Sequence, residues 1–299
     1  MKKLVYIITG FLLSSSVIAQ QLPFSESYFL DKYSLSSAYA GNSSNKSLFT
    51  SYRRDWSGLG AGPRTFRLSY SDGYNSNTGI GGKMIIDRAG IFQQFFALAT
   101  YTYKLEFVPE HFLFFGLSAG IYRNSLNLSD YYNDPQYNFD PSLISKDVKS
   151  KVKFITDYSL VYSFNGIQAG VLFTNVNFGE SSYKEVDLKY KPLSNFQLHA
   201  TYEFNLKQDW NISPMVIVRG GGSIKTQLEL ASQVMYKKKV WGTLIHRGKG
   251  VWGFGIGANV YKSIVFNYNY NVSSNIAVNS FQNHEITLGI NLGDFMKKD

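Results

Sequence analysis

The chain between residues 47 and 292 is a succession of segments in which apolar and polar residues alternate with a period of two. In the clearest segment, His284 and Ile286 share one face, whereas Glu285 and Thr287 share the other. This period is that of a β-strand with two different faces. We count about fourteen segments of this kind and predict an all-β fold. They begin near residues 48, 64, 77, 92, 111, 152, 166, 195, 209, 226, 239, 250, 262 and 283.

The connections between these segments alternate between tight and loose. The tight ones are Ser71–Asn75, Phe107–Glu110, Phe164–Gly166, Leu206–Asp209, Lys237–Lys239 and Val260–Lys262. The long loose ones are Ser125–Ser150, Asn177–Ser194 and Val272–Gln282. In an antiparallel sheet, alternate connections lie at the same end of the strands. The asymmetry is typical of outer-membrane barrels, which have short periplasmic turns and long extracellular loops.

Charged residues fall on the less apolar face of the predicted strands. Glu203 and Glu285 would be costly against lipid but are tolerated against a water-filled lumen, so the apolar face points outward. Backbone groups in hydrocarbon all need partners, which requires the sheet to close. We therefore predict a closed antiparallel transmembrane β-barrel. With both chain ends in the periplasm, the first strand runs outward and the long loops emerge on the cell exterior.

The N-terminal region differs from the rest. Residues 1–19 resemble a secretory signal, with Lys2 and Lys3 before a short apolar run that ends at Ala19. Residues 20–46 lack the alternation and are predicted to form a periplasmic or lumenal segment. Residues 47–299 form the predicted barrel. These features predict an outer-membrane protein of a Gram-negative bacterium.

Composition limits the possible chemistry. The chain has no Cys, which excludes disulfides and thiol-based sites. Its net charge of +9 is spread over turns and loops, so nucleic acid is not an expected partner. Aromatic residues make up 16%, which suits girdles at the boundary between lipid and water. The expected surroundings are a lipid bilayer.

Several short motifs resemble catalytic or cofactor sites. Ser118 lies in a G-x-S-x-G match and Gly253 begins a G-x-G-x-x-A match, but both lie inside alternating segments where a turn and helix are required. The four His residues lack metal-ligand spacing, and residues 129–134, which include Asp130 and Asp134, lack a regular calcium-loop pattern. We predict no enzymatic activity, cofactor or metal. A lipid-modifying barrel enzyme using Ser118 or His199 remains an alternative.

A set of local motifs resembles the PorP/SprF family of outer-membrane proteins, which belong to the type IX secretion and gliding machinery. The motifs are Ala38-Tyr39-Ala40-Gly41, Tyr52-Arg53-Arg54-Asp55-Trp56, Ala61-Gly62-Pro63-Arg64-Thr65, Asp87-Arg88-Ala89-Gly90 and His284-Glu285. The residues that match the family pattern are Tyr39, Gly41, Arg53, Trp56, Pro63, Thr65, Asp87, Gly90, His284 and Glu285. The chain departs from the pattern at Ser36, Ser37 and Asp55.

The resemblance implies a role in secretion. Family members help a secreted surface protein with a type IX C-terminal domain, commonly an adhesin, to reach or stay at the surface, and they associate with other type IX components. A small-solute channel is the second hypothesis. The residues on the lumen face are mostly Gly, Ser, Thr and Asn, and such a lining neither proves nor excludes a pore.

The alternation also predicts one contact. Arg53 lies near the outer end of the first strand and Glu285 near the outer end of the last, and both face inward. A closed barrel makes these two strands neighbours. We therefore expect Arg53 and Glu285 to approach each other inside the lumen.

Overall fold

The computed structural model describes residues 24–42, 46–58, 62–127, 147–177, 181–182, 189–190, 195–206, 209–221, 224–248, 250–261, 263–273 and 282–293. The N-terminal part contains a four-residue helix, α1 (Lys32–Leu35), followed by a 3₁₀ turn (Ser37–Tyr39). The Asp31 side chain accepts a hydrogen bond from the Ser34 amide and caps α1. Among the described residues, no helix is long and apolar enough to cross a membrane.

Eighteen strands follow within the described residues. They are β1 (Ser47–Arg54), β2 (Arg64–Gly73), β3 (Thr78–Ala89), β4 (Phe92–Val108), β5 (His111–Asn127), β6 (Asp147–Lys149), β7 (Lys153–Phe164), β8 (Ile167–Asn177), β9 (Ser181–Ser182), β10 (Lys189–Tyr190), β11 (Asn195–Tyr202), β12 (Phe204–Leu206), β13 (Trp210–Gly221), β14 (Ile224–Tyr236), β15 (Val240–Arg247), β16 (Val251–Tyr261), β17 (Ile264–Ser273) and β18 (Asn283–Asn291).

One closed antiparallel barrel has fourteen strands when β11 and β12 are counted as a single strand and β6, β9 and β10 are left out. Each pairs with its neighbours in sequence, and β1 pairs with β18 to close the sheet. The short β12 continues β11 along the edge of β13. The predicted fold and strand number are therefore confirmed. The small strands were not predicted: β6 extends the β5 edge, and β9 pairs with β10 inside the predicted loop 177–194.

The tight connections lie together at one end of the barrel and the long ones at the other, which we call the short-turn end and the long-loop end. At the short-turn end, Lys237 and Lys238 have φ angles of 50° and 53°, and the Lys239 amide donates to the Tyr236 carbonyl. This is the type I′ geometry that suits the twist of a hairpin.

Residues 129–134 of the long-loop end lie outside the described residues.

The two faces of the wall have the predicted polarity. Ile286 and Leu288 of β18 are exposed on the outside, whereas Glu285 and Thr287 are almost fully buried. The same contrast holds in β17, where Asn267, Asn269 and Asn271 are buried on the inside. Polar side chains are buried in the lumen because other protein groups fill it.

Candidate functional site

The lumen is occupied by residues 24–42, which we call the lumenal segment. Its first described residue, Phe24, lies beside Arg53 and Arg247, near the long-loop ends of β1 and β15. Its last part reaches the short-turn end, where a Cβ added to Gly41 would collide with the backbone of Asp72. The chain therefore crosses the whole lumen before β1 begins. The sequence offered a periplasmic or a lumenal position for this region, and its described part is lumenal.

Three carboxylates and three guanidinium groups meet around the start of the lumenal segment. We call this group the charge cluster; its members are Glu26, Arg53, Arg219, Glu229, Arg247 and Glu285. All six side chains are buried or nearly so. Only Glu26 belongs to the lumenal segment; the other five project from the barrel wall. The cluster therefore joins the segment to both sides of the lumen.

Glu26 is the central member of the charge cluster. Its Oε1 lies 2.8 Å from Arg53 Nη1 and 2.8 Å from Arg247 Nη2, and it accepts a 2.5 Å hydrogen bond from Asn271 Nδ2. Burial alone would raise the pKa of Glu26. The positive charges of Arg247 and Arg53 lower it by a larger amount, so the pKa lies below its ordinary value. The carboxylate is thus held in its ionised form by two strands on different sides of the barrel.

Glu285 and Glu229 anchor the segment on either side of Glu26. Glu285 accepts hydrogen bonds from Ser25 Oγ at 2.5 Å and from the Glu26 amide at 2.9 Å. Glu229 accepts from the Tyr28 hydroxyl at 2.8 Å, and it also pairs with Arg219 and Arg247. Both carboxylates therefore neutralise arginines and bind the segment at the same time.

The Phe24 ring lies against all three guanidinium groups. The distances from its centroid to the guanidinium carbons of Arg247, Arg53 and Arg219 are 4.5, 4.8 and 4.9 Å. Guanidinium groups are attracted to the negative face of an aromatic ring, most strongly where water is excluded. Phe24 therefore covers the charge cluster from one side.

The remainder of the lumenal segment is fixed by hydrogen bonds to uncharged side chains of the wall. Tyr33 Oη lies 2.5 Å from Thr100 Oγ1, and Asp31 accepts a 2.7 Å bond from Ser69 Oγ. The Leu35 carbonyl accepts from Gln197 Nε2 at 2.8 Å. Burial raises the pKa of Asp31 above its ordinary value, since these neutral donors compensate the carboxylate less than the arginines compensate Glu26.

Arg53 and Glu285, the pair singled out in the sequence, lie next to each other in the lumen. The two residues are direct cross-strand partners, and Arg53 Nη1 lies 3.7 Å from Glu285 Oε2. Asp55, one of the positions where the chain departs from the motif pattern, also contacts Arg53, with Oδ1 2.7 Å from Nε, and extends the ion-pair network. On the next two strands, Thr65 of β2 donates to its cross-strand partner Asp87 of β3 at 2.6 Å.

The other motif residues shape the two ends of the lumen. Tyr39 is buried, with its hydroxyl 3.1 Å from His199 Nε2, and Gly41 has a φ of 67°. Gly90 has a φ of 58° in the connection between β3 and β4. The Pro63 carbonyl accepts from the Asp55 amide at 2.9 Å. Two motif residues face outward at the long-loop end: Trp56 is 43% exposed, and His284 lies 2.7 Å from the Tyr268 hydroxyl.

The candidate enzyme residues have structural partners. Ser118 lies in the middle of β5, fully buried, with its Oγ 2.7 Å from Thr100 Oγ1. The strand runs straight through the G-x-S-x-G match, so the sharp turn that exposes a nucleophile is missing there. His199 contacts Tyr39 instead of a serine. Within the described residues, no group of His, Asp and Glu side chains could hold a metal ion.

Sequence reasoning missed four members of the charge cluster. Glu26 lies in a segment without periodicity, and Arg219, Glu229 and Arg247 are separated by turns and by a strand. Their inward parity was available from the alternation of the strands that carry them. Their mutual contact was not, because it depends on a segment that enters the lumen from elsewhere.

Known proteins resemble this chain in fold and in sequence pattern. The chain matches the solved structures of the Ralstonia pickettii toluene transporter TbuX (TM-score 0.50, 10% identity, 91% of this chain and 94% of that one), the P. putida toluene transporter TodX (0.43, 8%, 84% and 89%) and the KdgM porin (0.38, 7%, 82% and 98%). At such low identity, the similarity to TbuX concerns the fold alone. No curated protein sequence matches the chain.

The family assignment rests on a match over most of the chain. The model for the type IX secretion system membrane protein PorP/SprF matches residues 17–290. This range includes the lumenal segment and the described barrel strands up to the last residue but one of β18. The chain therefore belongs to the PorP/SprF family and is an outer-membrane β-barrel component of the type IX secretion system.

Proposed function

We propose that this protein is a plugged outer-membrane platform that helps to export or anchor one specific surface protein, an adhesin-like cargo with a type IX C-terminal domain. The observation that carries the proposal is the lumenal segment, held by the charge cluster. An extended polypeptide could pass through the lumen only after this segment had left. The barrel is better suited to holding a partner than to conducting one.

The energetics of the charge cluster support this view. Removing the lumenal segment would leave Arg53 and Arg247 without Glu26, and Glu285 without its two donors from the segment. Separating one buried charge from its partners typically costs about 3–5 kcal/mol. The cluster contains several such contacts, so the plugged arrangement is strongly favoured at neutral pH.

The long-loop end supplies the expected binding surface for the cargo. Its longest connection contains Asp130, Tyr131, Tyr132, Asn133 and Asp134 in sequence, which lie outside the described residues. Tyrosines commonly act as anchors at protein interfaces because they bury a large area at low entropic cost. Family membership also implies association with other type IX components.

Deletion of the gene tests the proposal through surface proteomics. We expect one surface protein to disappear while bulk type IX secretion continues, and expression of the wild-type gene to restore it. Loss of all cargo would make the protein a core component of the system. Retention of all cargo would contradict the anchoring role and favour the channel.

A small-solute channel is the second candidate because the lumen is not completely filled. A cavity of about 160 Å³ lies beside the lumenal segment, lined by Arg67, Phe96, Leu172 and Phe196 among others. A second space of about 770 Å³ opens near the short-turn end, next to Lys32 and Lys238. The lumenal segment contributes to the lining of both spaces, so conduction between them would require it to move.

An engineered disulfide separates the two candidates. The chain has no natural Cys, and Ser27 Oγ lies 2.7 Å from Thr287 Oγ1, so the variant Ser27→Cys with Thr287→Cys would lock the segment to β18. Under the platform proposal, the oxidised variant displays the cargo normally, and planar-bilayer conductance is absent with or without reductant. Conductance that appears on reduction and vanishes on oxidation would establish the channel.

The lipid-modifying alternative is tested by labelling with a serine-reactive probe.

A further inference from the structure

Three arginines form a row on the outside of the barrel at its long-loop end. Arg54 is the last residue of β1, Arg64 is the first of β2, and Arg88 is the last but one of β3. They are direct cross-strand partners, Arg54 with Arg64 and Arg64 with Arg88. Their parity matches that of the exposed Tyr52 and Phe66, so they lie on the lipid-facing side. We call them the arginine row.

The arginine row lacks the neutralisation that the charge cluster has. Like charges directly opposite each other on neighbouring strands are destabilising. Within the described part of the chain, no carboxylate forms an ion pair with Arg54, Arg64 or Arg88. The Nε of Arg54 is shielded from solvent and has no hydrogen-bond partner there. By contrast, Arg53, the immediate neighbour of Arg54 on the inner face, pairs with two carboxylates at 2.8 Å or less.

An apolar row lies directly beneath the arginines, towards the barrel centre. Tyr52, Phe66, Ile86 and Phe95 are successive cross-strand partners on β1 to β4. Tyr52 is 47% and Phe66 is 37% exposed. A fourth outward arginine, Arg123 of β5, is the cross-strand partner of Phe95. Cationic groups therefore border a surface suited to acyl chains.

The arrangement is confined to one wall of the barrel. On the wall formed by β14 to β16, the corresponding outward row consists of Leu230 in the middle of β14, His246 near the long-loop end of β15 and Trp252 near that of β16, which are cross-strand partners in the same way. This is the ordinary composition of a membrane-facing surface, with an aromatic residue near the interface. The arginine row thus is not a general feature of this end of the barrel.

We propose that the arginine row binds the phosphate groups of an anionic glycolipid in the outer leaflet of the membrane. Guanidinium groups bind phosphate oxygens in pairs of parallel hydrogen bonds and keep their charge at any physiological pH. The long-loop end faces the cell exterior in outer-membrane barrels, so the headgroups of the outer leaflet lie at its level. The bound phosphates relieve the repulsion within the row, while the acyl chains cover the apolar row. This inference is independent of the proposed cargo role.

Native mass spectrometry of the full-length mature protein in detergent tests the proposal. The probes are diphosphorylated lipid A, the same lipid after removal of its phosphates, and phosphatidylglycerol. We expect the diphosphorylated lipid to bind at least about tenfold more tightly than either of the others, as the loss of a charge-assisted pair predicts. Equal retention of the dephosphorylated lipid would overturn the proposal, and equal retention of phosphatidylglycerol would overturn its restriction to the outer-leaflet glycolipid.

Two variants with equal loss of charge provide the comparison. Arg64→Gln with Arg88→Gln removes two guanidinium groups from the row, and Lys237→Gln with Lys238→Gln removes two charges from the short-turn end. The first is expected to lose the preference for phosphorylated lipid and the second to keep it. Arg64→Lys with Arg88→Lys should bind with intermediate affinity. Wild-type binding by the first variant contradicts the site, whereas displacement of the lipid by millimolar inorganic phosphate would contradict its assignment to a glycolipid. The shift in gel mobility on boiling shows that each variant is folded.

Discussion

Arg53 and Glu285 face each other across the seam where the first and last barrel strands pair, with Nη1 and Oε2 3.7 Å apart. The same Nη1 lies 2.8 Å from Glu26 Oε1, and the Glu26 amide donates to Glu285 at 2.9 Å. The two seam residues are therefore joined through the lumenal segment as well as directly. Closure of the barrel and attachment of the segment depend on the same charges.

Replacing Glu26 is expected to release the start of the lumenal segment. In Glu26→Gln, two buried guanidinium groups lose their shared carboxylate, which should cost about 3–5 kcal/mol. Denaturant unfolding in detergent and protease cleavage within residues 24–42 measure the effect. The matched control is Asp209→Asn, whose half-exposed pair with Lys237 at 3.9 Å should contribute only ~0–1 kcal/mol. Equal effects of the two substitutions would show that the charge cluster does not hold the segment.

Acidification should remove the contribution of Glu26. Its pKa is lower in the folded protein than its ordinary value of 4.5, so its stabilisation is complete above that value and is lost as the pH falls through the folded pKa. The difference in unfolding free energy between wild type and Glu26→Gln should be constant well above the ordinary pKa of 4.5 and shrink as the pH falls below it. The raised pKa of Asp31 acts in the opposite direction, but it is common to both proteins and cancels. A difference that grows on acidification would reverse the sign of our assignment.

Two glycines of the family motifs should respond differently to alanine. Both have positive φ angles, 67° at Gly41 and 58° at Gly90, so Ala costs about 1–2 kcal/mol of backbone strain at either. A Cβ at Gly41 would also collide with the backbone of Asp72 and Gly79, whereas nothing lies within 4 Å at Gly90. We expect Gly41→Ala to lower the thermal unfolding midpoint clearly more than Gly90→Ala. Similar midpoints would mean that the lumenal segment can move away from the wall.

Processing of the N-terminus tests the predicted domain boundary. The mature chain should begin at Gln20 or Gln21, and it should fractionate with the outer membrane. The folded form should migrate faster than the boiled form in gel electrophoresis, because a closed barrel resists detergent unfolding. Retention of Met1 or a soluble periplasmic pool would contradict both the signal at residues 1–19 and the topology.

The barrel wall was predictable from the sequence because its rules are local. A period of two assigns each residue to the lipid or the lumen, and the loop asymmetry orients the barrel in the membrane. Neighbouring strands of a closed barrel are adjacent by necessity, so even the contact of Arg53 with Glu285 followed from parity and closure. The small strands β6, β9 and β10 were missed because they are too short to show a periodic pattern.

Only the tertiary structure decided what fills the lumen. Residues 20–46 have no periodicity, and nothing in their sequence states which barrel residues will meet Glu26, Tyr28 or Tyr33. Those contacts join positions at least 27 residues apart, and they form because buried charges and hydroxyl groups need partners wherever the folded chain brings them. The sequence alone determined a closed membrane barrel with polar residues inside. The three-dimensional arrangement turned those polar residues into the anchor of a lumenal plug.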